Sequence, residues 1–143
     1  MSAPAEGTLQ RIATAVAAVG IGVAGYIAIA QADGGAAACV GGSGGCETVA
    51  ESSHSELLGV SIAVIGVIGY ALLLACAVLR GDGPRLAGFT LALIGFGYSI
   101  YLTYLELFVI DAICQWCVVS AILMTVLFAL GTVRMLRYVG TRP

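Results

Sequence analysis

The stretch Val109-Ile110-Asp111-Ala112-Ile113-Cys114-Gln115-Trp116-Cys117-Val118-Val119-Ser120-Ala121-Ile122-Leu123 sets two thiols three residues apart at the head of a long apolar run. Positions i and i+3 of a helix share a face, so Cys114 and Cys117 come within disulfide range, with Cys117 roughly 4.5 Å deeper along the axis. In the first turn of such a helix, unpaired backbone N–H groups and the helix dipole favour a thiolate, the attacking form in thiol–disulfide exchange. A structural disulfide, or two buried small side chains, would leave the same spacing. The redox reading gains from a second pair upstream, Cys39 and Cys46, set in a run of glycines and small residues.

Composition fixes the solvent. The chain has 143 residues, 60% hydrophobic and 10% charged, with a mean hydropathy of +1.05. A water-soluble domain is excluded by those values, which suit an all-α integral membrane protein. The net charge is only -2, with no basic cluster, so nucleic-acid binding is not expected. Five cysteines and one histidine also argue against a metal, because a zinc site would have to draw its ligands from loop and membrane segments together.

Four uncharged apolar runs are expected to span the bilayer as one transmembrane redox domain: residues 12–30, 57–79, 86–105 and 112–133. Ala28-Ile29-Ala30 has the A-x-A form of a signal-peptide site. The run before it, however, exceeds the usual roughly 7–15-residue apolar region of a signal peptide, which favours a retained span. Between the first two spans, residues 31–56 are polar and glycine-rich up to Cys46. The following Glu47-Thr48-Val49-Ala50-Glu51-Ser52-Ser53 suits a short half-helix. Residues 80–85, Arg-Gly-Asp-Gly-Pro-Arg, form a turn. Small residues at Gly59, Ala63, Gly66 and Gly69, and at Gly95 and Ser99, allow close helix approach.

All six basic residues, Arg11, Arg80, Arg85, Arg134, Arg137 and Arg142, fall on one side of this drawing, and the positive-inside rule makes that side cytoplasmic. Both termini are then cytoplasmic. Loop 31–56 and both cysteine pairs are exoplasmic, where disulfides persist. Cys76, near the cytoplasmic end of the second span, is too far from the others to pair and reads as packing.

A glycine-rich loop holding Cys39 and Cys46 can staple itself or swing as a shuttle, and the shuttle is the preferred reading. Electrons passed from it to Cys114 and Cys117 need an acceptor, yet no C-x-x-C-H, dinucleotide or P-loop pattern is present. A quinone dissolved in the bilayer, seated among the helices beside Cys117, is the economical choice. Around it, His54 could donate to a quinone oxygen or relay a proton, although a lone exoplasmic histidine is more often simply solvated. Tyr98, Tyr101 and Tyr104 repeat every three residues, as an interfacial belt or a wall of the quinone site, and Trp116 suits an interfacial anchor. Glu106 and Asp111 read as interfacial charges.

These residues resemble the bacterial form of the vitamin K epoxide reductase family. The matching pieces are Cys39 and Cys46, Cys46-Glu47-Thr48-Val49 through Ser52-Ser53, Leu58-Gly59-Val60-Ser61 leading to Gly66 and Tyr70, and Tyr101 through Ile110 into Cys114-Gln115-Trp116-Cys117-Val118-Val119-Ser120-Ala121. The resemblance implies a four-helix transmembrane bundle around a menaquinone or ubiquinone, with the half-helix after Cys46 as part of its lid. It assigns Cys117 to the quinone, through an adduct or charge-transfer complex, and exchange with Cys46 to Cys114. It assigns Cys39 to exchange with an exoplasmic thioredoxin-like, DsbA-like partner, and sets Ser52 near a quinone carbonyl. Ser61 stands where many bacterial relatives carry proline, and Ala121 where animal enzymes carry tyrosine, so vitamin K epoxide is not an expected substrate. Many bacterial members carry a fused thioredoxin-like domain after the last span; this sequence runs to Pro143, and the partner is expected to act in trans.

Three other readings compete. A DsbB-type disulfide generator has the CxxC in its first exoplasmic loop, the reverse of the order here. A small multidrug transporter would need an acid deep within a span, whereas every acid here falls near an end or in a loop. In a purely structural membrane subunit the exoplasmic cysteines would be static.

Overall fold

The computed structural model of the protein describes residues 3–34, 56–57, 59–110 and 115–140. Four helices dominate: α1, Ala3–Ala32; α2, Ile62–Val78; α3, Asp82–Tyr104; and α4, Gln115–Gly140. A π-helical turn, Leu105–Val109, continues α3, closed by the Ile110 N–H on the Leu105 carbonyl at 2.7 Å. A two-rung antiparallel hairpin, β1 Glu56–Leu57 and β2 Val60–Ser61, precedes α2. Among the described residues three helical stretches are long and apolar enough to cross a membrane, Gly7–Ala32, Asp82–Val109 and Gln115–Gly140, whereas α2 is a shorter apolar helix.

Several boundaries depart from the sequence reading. The second span, read as 57–79, begins as the hairpin. Gly59 turns the chain at φ +82°, a left-handed conformation open to glycine, and the helix starts only at Ile62. The turn read as 80–85 shrinks, because Asp82 and Pro84 are already in the first turn of α3, where an acid and a proline are both favoured. Gly81 makes that turn possible at φ +125°. The helix that holds the fourth span, read as 112–133, runs on to Gly140 and carries Arg134 and Arg137. The half-helix after Cys46 lies outside the described residues.

α1 and α2 run antiparallel in a register that both sequences share. Ala13, Ala17, Gly20 and Ala24 recur at alternating steps of four and three along α1, and Gly66, Tyr70, Leu73 and Ala77 do the same along α2. Small residues let the two backbones close together: the Tyr70 ring occupies the place where a Cβ on Gly20 would stand, and a Cβ on Gly66 would rest 3.5 Å from that of Ala24. Ala17 and Tyr70 are sealed from outside at 0% and 1% exposure. Of the small residues read as contact points in the second span, Gly66 does make the close approach, while Gly69 has nothing within 4 Å of where its Cβ would be.

Both ends of this pair are tied by glutamines. The Gln10 side chain donates to the Ala77 carbonyl at 2.8 Å and to the Val78 carbonyl at 3.3 Å, satisfying acceptors left over at the end of α2. At the other end Ser61 caps α2: its hydroxyl accepts the Ala63 N–H at 3.2 Å and donates to the Gln31 side-chain oxygen.

α3 and α4 are joined by rings and by a second glycine contact. Phe128 stacks on Phe96 at 4.8 Å and on Phe89 at 6.1 Å, and Gly95 leaves room for the Met124 side chain. α1 packs on α2 and α4, and α3 likewise, which sets α2 and α4 across the diagonal of a four-helix ring. Outward faces carry large apolar side chains such as Ile29, Ile68, Ile94, Ile122 and Leu136, the pattern of a surface solvated by lipid. Thr14, Thr90, Thr103, Thr125 and Thr132 each turn the hydroxyl back onto the carbonyl four residues before, at 2.8–3.0 Å, so no helix depends on water for them.

Candidate functional site

Cys117 is the third residue of α4 and is half-buried. It heads a stripe of Cys117, Ser120, Met124 and Leu127, whose alternating steps keep one side of the helix turned toward its neighbours; Met124 and Leu127 are buried. The thiol therefore stands at the top of the inward face of α4, one turn above Ser120.

Aromatic and polar contacts fix this part of α4. Trp116 meets Tyr26 of α1 edge to face, with centroids 5.1 Å apart and planes at 60°. This gives Trp116, read from sequence as an interfacial anchor, a specific partner in the bundle. Below it, the Tyr70 hydroxyl donates to the Ser120 carbonyl at 2.8 Å, and the Ser120 hydroxyl lies 2.8 Å from the same phenolic oxygen. Tyr70 thus leaves α2, crosses over Gly20 of α1 and ties α4 across the diagonal. A phenol in the middle of an apolar run needs a hydrogen-bond partner, and that need was the available signal in the sequence; which helix would supply the partner was not.

Of the other residues singled out by sequence, Cys39, Cys46, Ser52, His54, Asp111 and Cys114 lie outside the described residues. Tyr101 is 49% exposed, paired with Tyr98 at 5.9 Å, and Tyr104 continues the aromatic row to Phe108 at 5.2 Å. Glu106, read from sequence as an interfacial charge, lies in the π-helical turn at 7% exposure, the one buried charged side chain among the described residues. Single π-helical turns often accompany functional sites.

The opposite end is basic. Arg85 pairs with Asp82 at 3.6 Å and sits 4.9 Å over the Tyr138 ring. Cys76 lines a cleft there with Ala13, Arg85, Gly88 and Arg134; at about 40 Å³ it is far below the roughly 300–1,000 Å³ of ligand pockets. A Cβ on Gly88 would come 3.1 Å from that of Cys76, so this cysteine serves as helix packing, distant from the site around Cys117.

An inward thiol at the head of a helix, braced by Trp116 and backed by a hydroxyl pair inside an apolar bundle, suits thiol chemistry conducted at a membrane. The sequence model of the vitamin K epoxide reductase family matches residues 11–132, from the start of the first apolar run to the last turns of α4. The chain belongs to the vitamin K epoxide reductase family.

Proposed function

We propose that this membrane thiol oxidoreductase carries electrons from an exoplasmic dithiol to a membrane quinone and so supports disulfide-bond formation. A thioredoxin-like, DsbA-like protein would deliver two electrons by exchange with Cys39, closing its own disulfide as the Cys39–Cys46 bond opens. The Cys46 thiolate would then attack Cys114, and the Cys114–Cys117 bond would open as Cys39–Cys46 re-forms. Each exchange breaks one S–S bond, forms another and moves two electrons.

The observation that carries this reading is the position of Cys117 at the head of the inward face of α4. The residues there fit a quinone: a half-buried thiol heads the inward stripe of an apolar helix, next in sequence to Trp116, which packs on Tyr26, and one turn from the Tyr70–Ser120 hydroxyls. When bound, a menaquinone or ubiquinone supplies the acceptor for two electrons and two protons. Cys117 would present its sulfur to the ring, and the apolar helix faces would keep bulk water away. Ser52, His54 and Tyr101 are further candidates to line the ring, with Tyr101 on the more exposed side of α3.

We read the molecule as a four-span bundle in the cell's inner membrane. α2, short at 17 residues, crosses alongside α1, since Gln10 and Gln31 of α1 meet its two ends. Arg11, Arg80, Arg85, Arg134 and Arg137 favour a cytoplasmic basic end, which makes the Cys117 end exoplasmic. Differential alkylation tests the function: Cys39, Cys46, Cys114 and Cys117 should shift together between thiol and disulfide as quinone is withheld or supplied. Static cysteines would refute it.

A further inference from the structure

We infer that Tyr70 is a positioning residue for Cys117, acting through Ser120. This rests on the reading of Cys117 as the thiol that meets the quinone.

α4 is held by its packing on α1 and α3, whereas α2 lies across the diagonal with little direct packing on it. The Tyr70 hydroxyl adds a constraint from that side, at the residue one turn from Cys117. With its proton on the Ser120 carbonyl, its oxygen can accept from the Ser120 hydroxyl, so backbone and side chain of one residue are held at 2.8 Å by a single group. The phenol cannot easily move in response. Its ring is 1% exposed and pressed on the bare backbone of Gly20, so three helices meet on one side chain. Cys117 lies three residues before Ser120 on the same side of α4. A rotation that swung the thiol from the bundle toward lipid would pull both groups of Ser120 off the phenol, leaving polar groups unpaired in an apolar interior.

The interaction sets orientation more than stability. Tyr70→Phe keeps the ring on Gly20 and removes only the hydroxyl. Its effect should appear as slower transfer at Cys117, because the reacting geometry is populated less often.

The test is steady-state turnover of purified Tyr70→Phe, Ser120→Ala and the double variant, with dithiothreitol as the electron donor and a water-soluble quinone as the acceptor. Rates are normalised to folded protein and read beside the alkylation rate of reduced Cys117, identified by peptide mass. For Tyr70→Phe we expect kcat to fall about tenfold, as the loss of two linked hydrogen bonds permits, with KM moved less and Cys117 alkylated faster. Ser120→Ala, which keeps the carbonyl acceptor, should lose less, Ser120→Thr should restore the rate, and the double variant should be no slower than Tyr70→Phe alone. A kcat for Tyr70→Phe within twofold of wild type would overturn the inference, as would a loss that normalisation to folded protein removes. Failure of the functional reading is distinguishable, since the wild-type protein itself would then show no quinone-dependent oxidation of Cys117.

Discussion

Trp116 and Tyr26 meet edge to face at 5.1 Å, so the residue directly before Cys117 is braced against α1. Aromatic pairs of this geometry contribute about 0.5–1.5 kcal/mol beyond the area they bury. Replacing either ring by leucine should lower the thermal midpoint in detergent, and the double variant should lose less than the sum of the singles. Strict additivity in that cycle would mean the two rings do not interact.

Gly20 and Gly22 are two residues apart on α1 and should respond oppositely to alanine. A methyl at Gly20 falls within the Tyr70 ring, so Gly20→Ala should destabilise by about 1–3 kcal/mol and, by pushing the phenol away from Ser120, reduce turnover. At Gly22 nothing lies within 4 Å, and Gly22→Ala should be neutral or stabilising by up to about 1 kcal/mol through helix propensity. Chemical or thermal denaturation of both variants checks the contrast.

The hydropathy of the chain made its helices legible, and the arginines made one end of the bundle recognisable. The boundaries were harder to read because apolar content does not distinguish strand from helix. Leu57, Gly59 and Val60 suit a membrane span by composition, yet Gly59 turns the chain and Leu57 pairs with Val60 in a hairpin. Charge misled in the other direction: Arg134 and Arg137 end the apolar run without ending the helix. At the candidate site the CxxC spacing was visible in the sequence. The partners of Cys117's neighbours were not, because Tyr26 with Trp116 and Tyr70 with Ser120 join residues far apart in the chain. The burial of Glu106 also depends on packing that a position near the end of a span does not disclose.

The proposed orientation rests on the arginines. A reporter that is active only in the cytoplasm, fused after Pro143, should be active, and its periplasmic counterpart silent. In the same preparation Cys76→Ala should leave turnover unchanged, since Cys76 packs on Gly88 at the basic end, away from Cys117. An active periplasmic reporter would invert the assignment of both cysteine pairs to the exoplasmic side.

The relay itself is tested most directly by trapping its middle step. In Cys117→Ala nothing remains in the CxxC to resolve a bond to Cys114, and in Cys39→Ala nothing remains in the loop to resolve one to Cys46. Non-reducing electrophoresis with peptide mapping should therefore reveal a Cys46–Cys114 disulfide in both variants, lost on reduction. If neither variant accumulates that bond while quinone and thiol partner are supplied, the proposed electron path is contradicted.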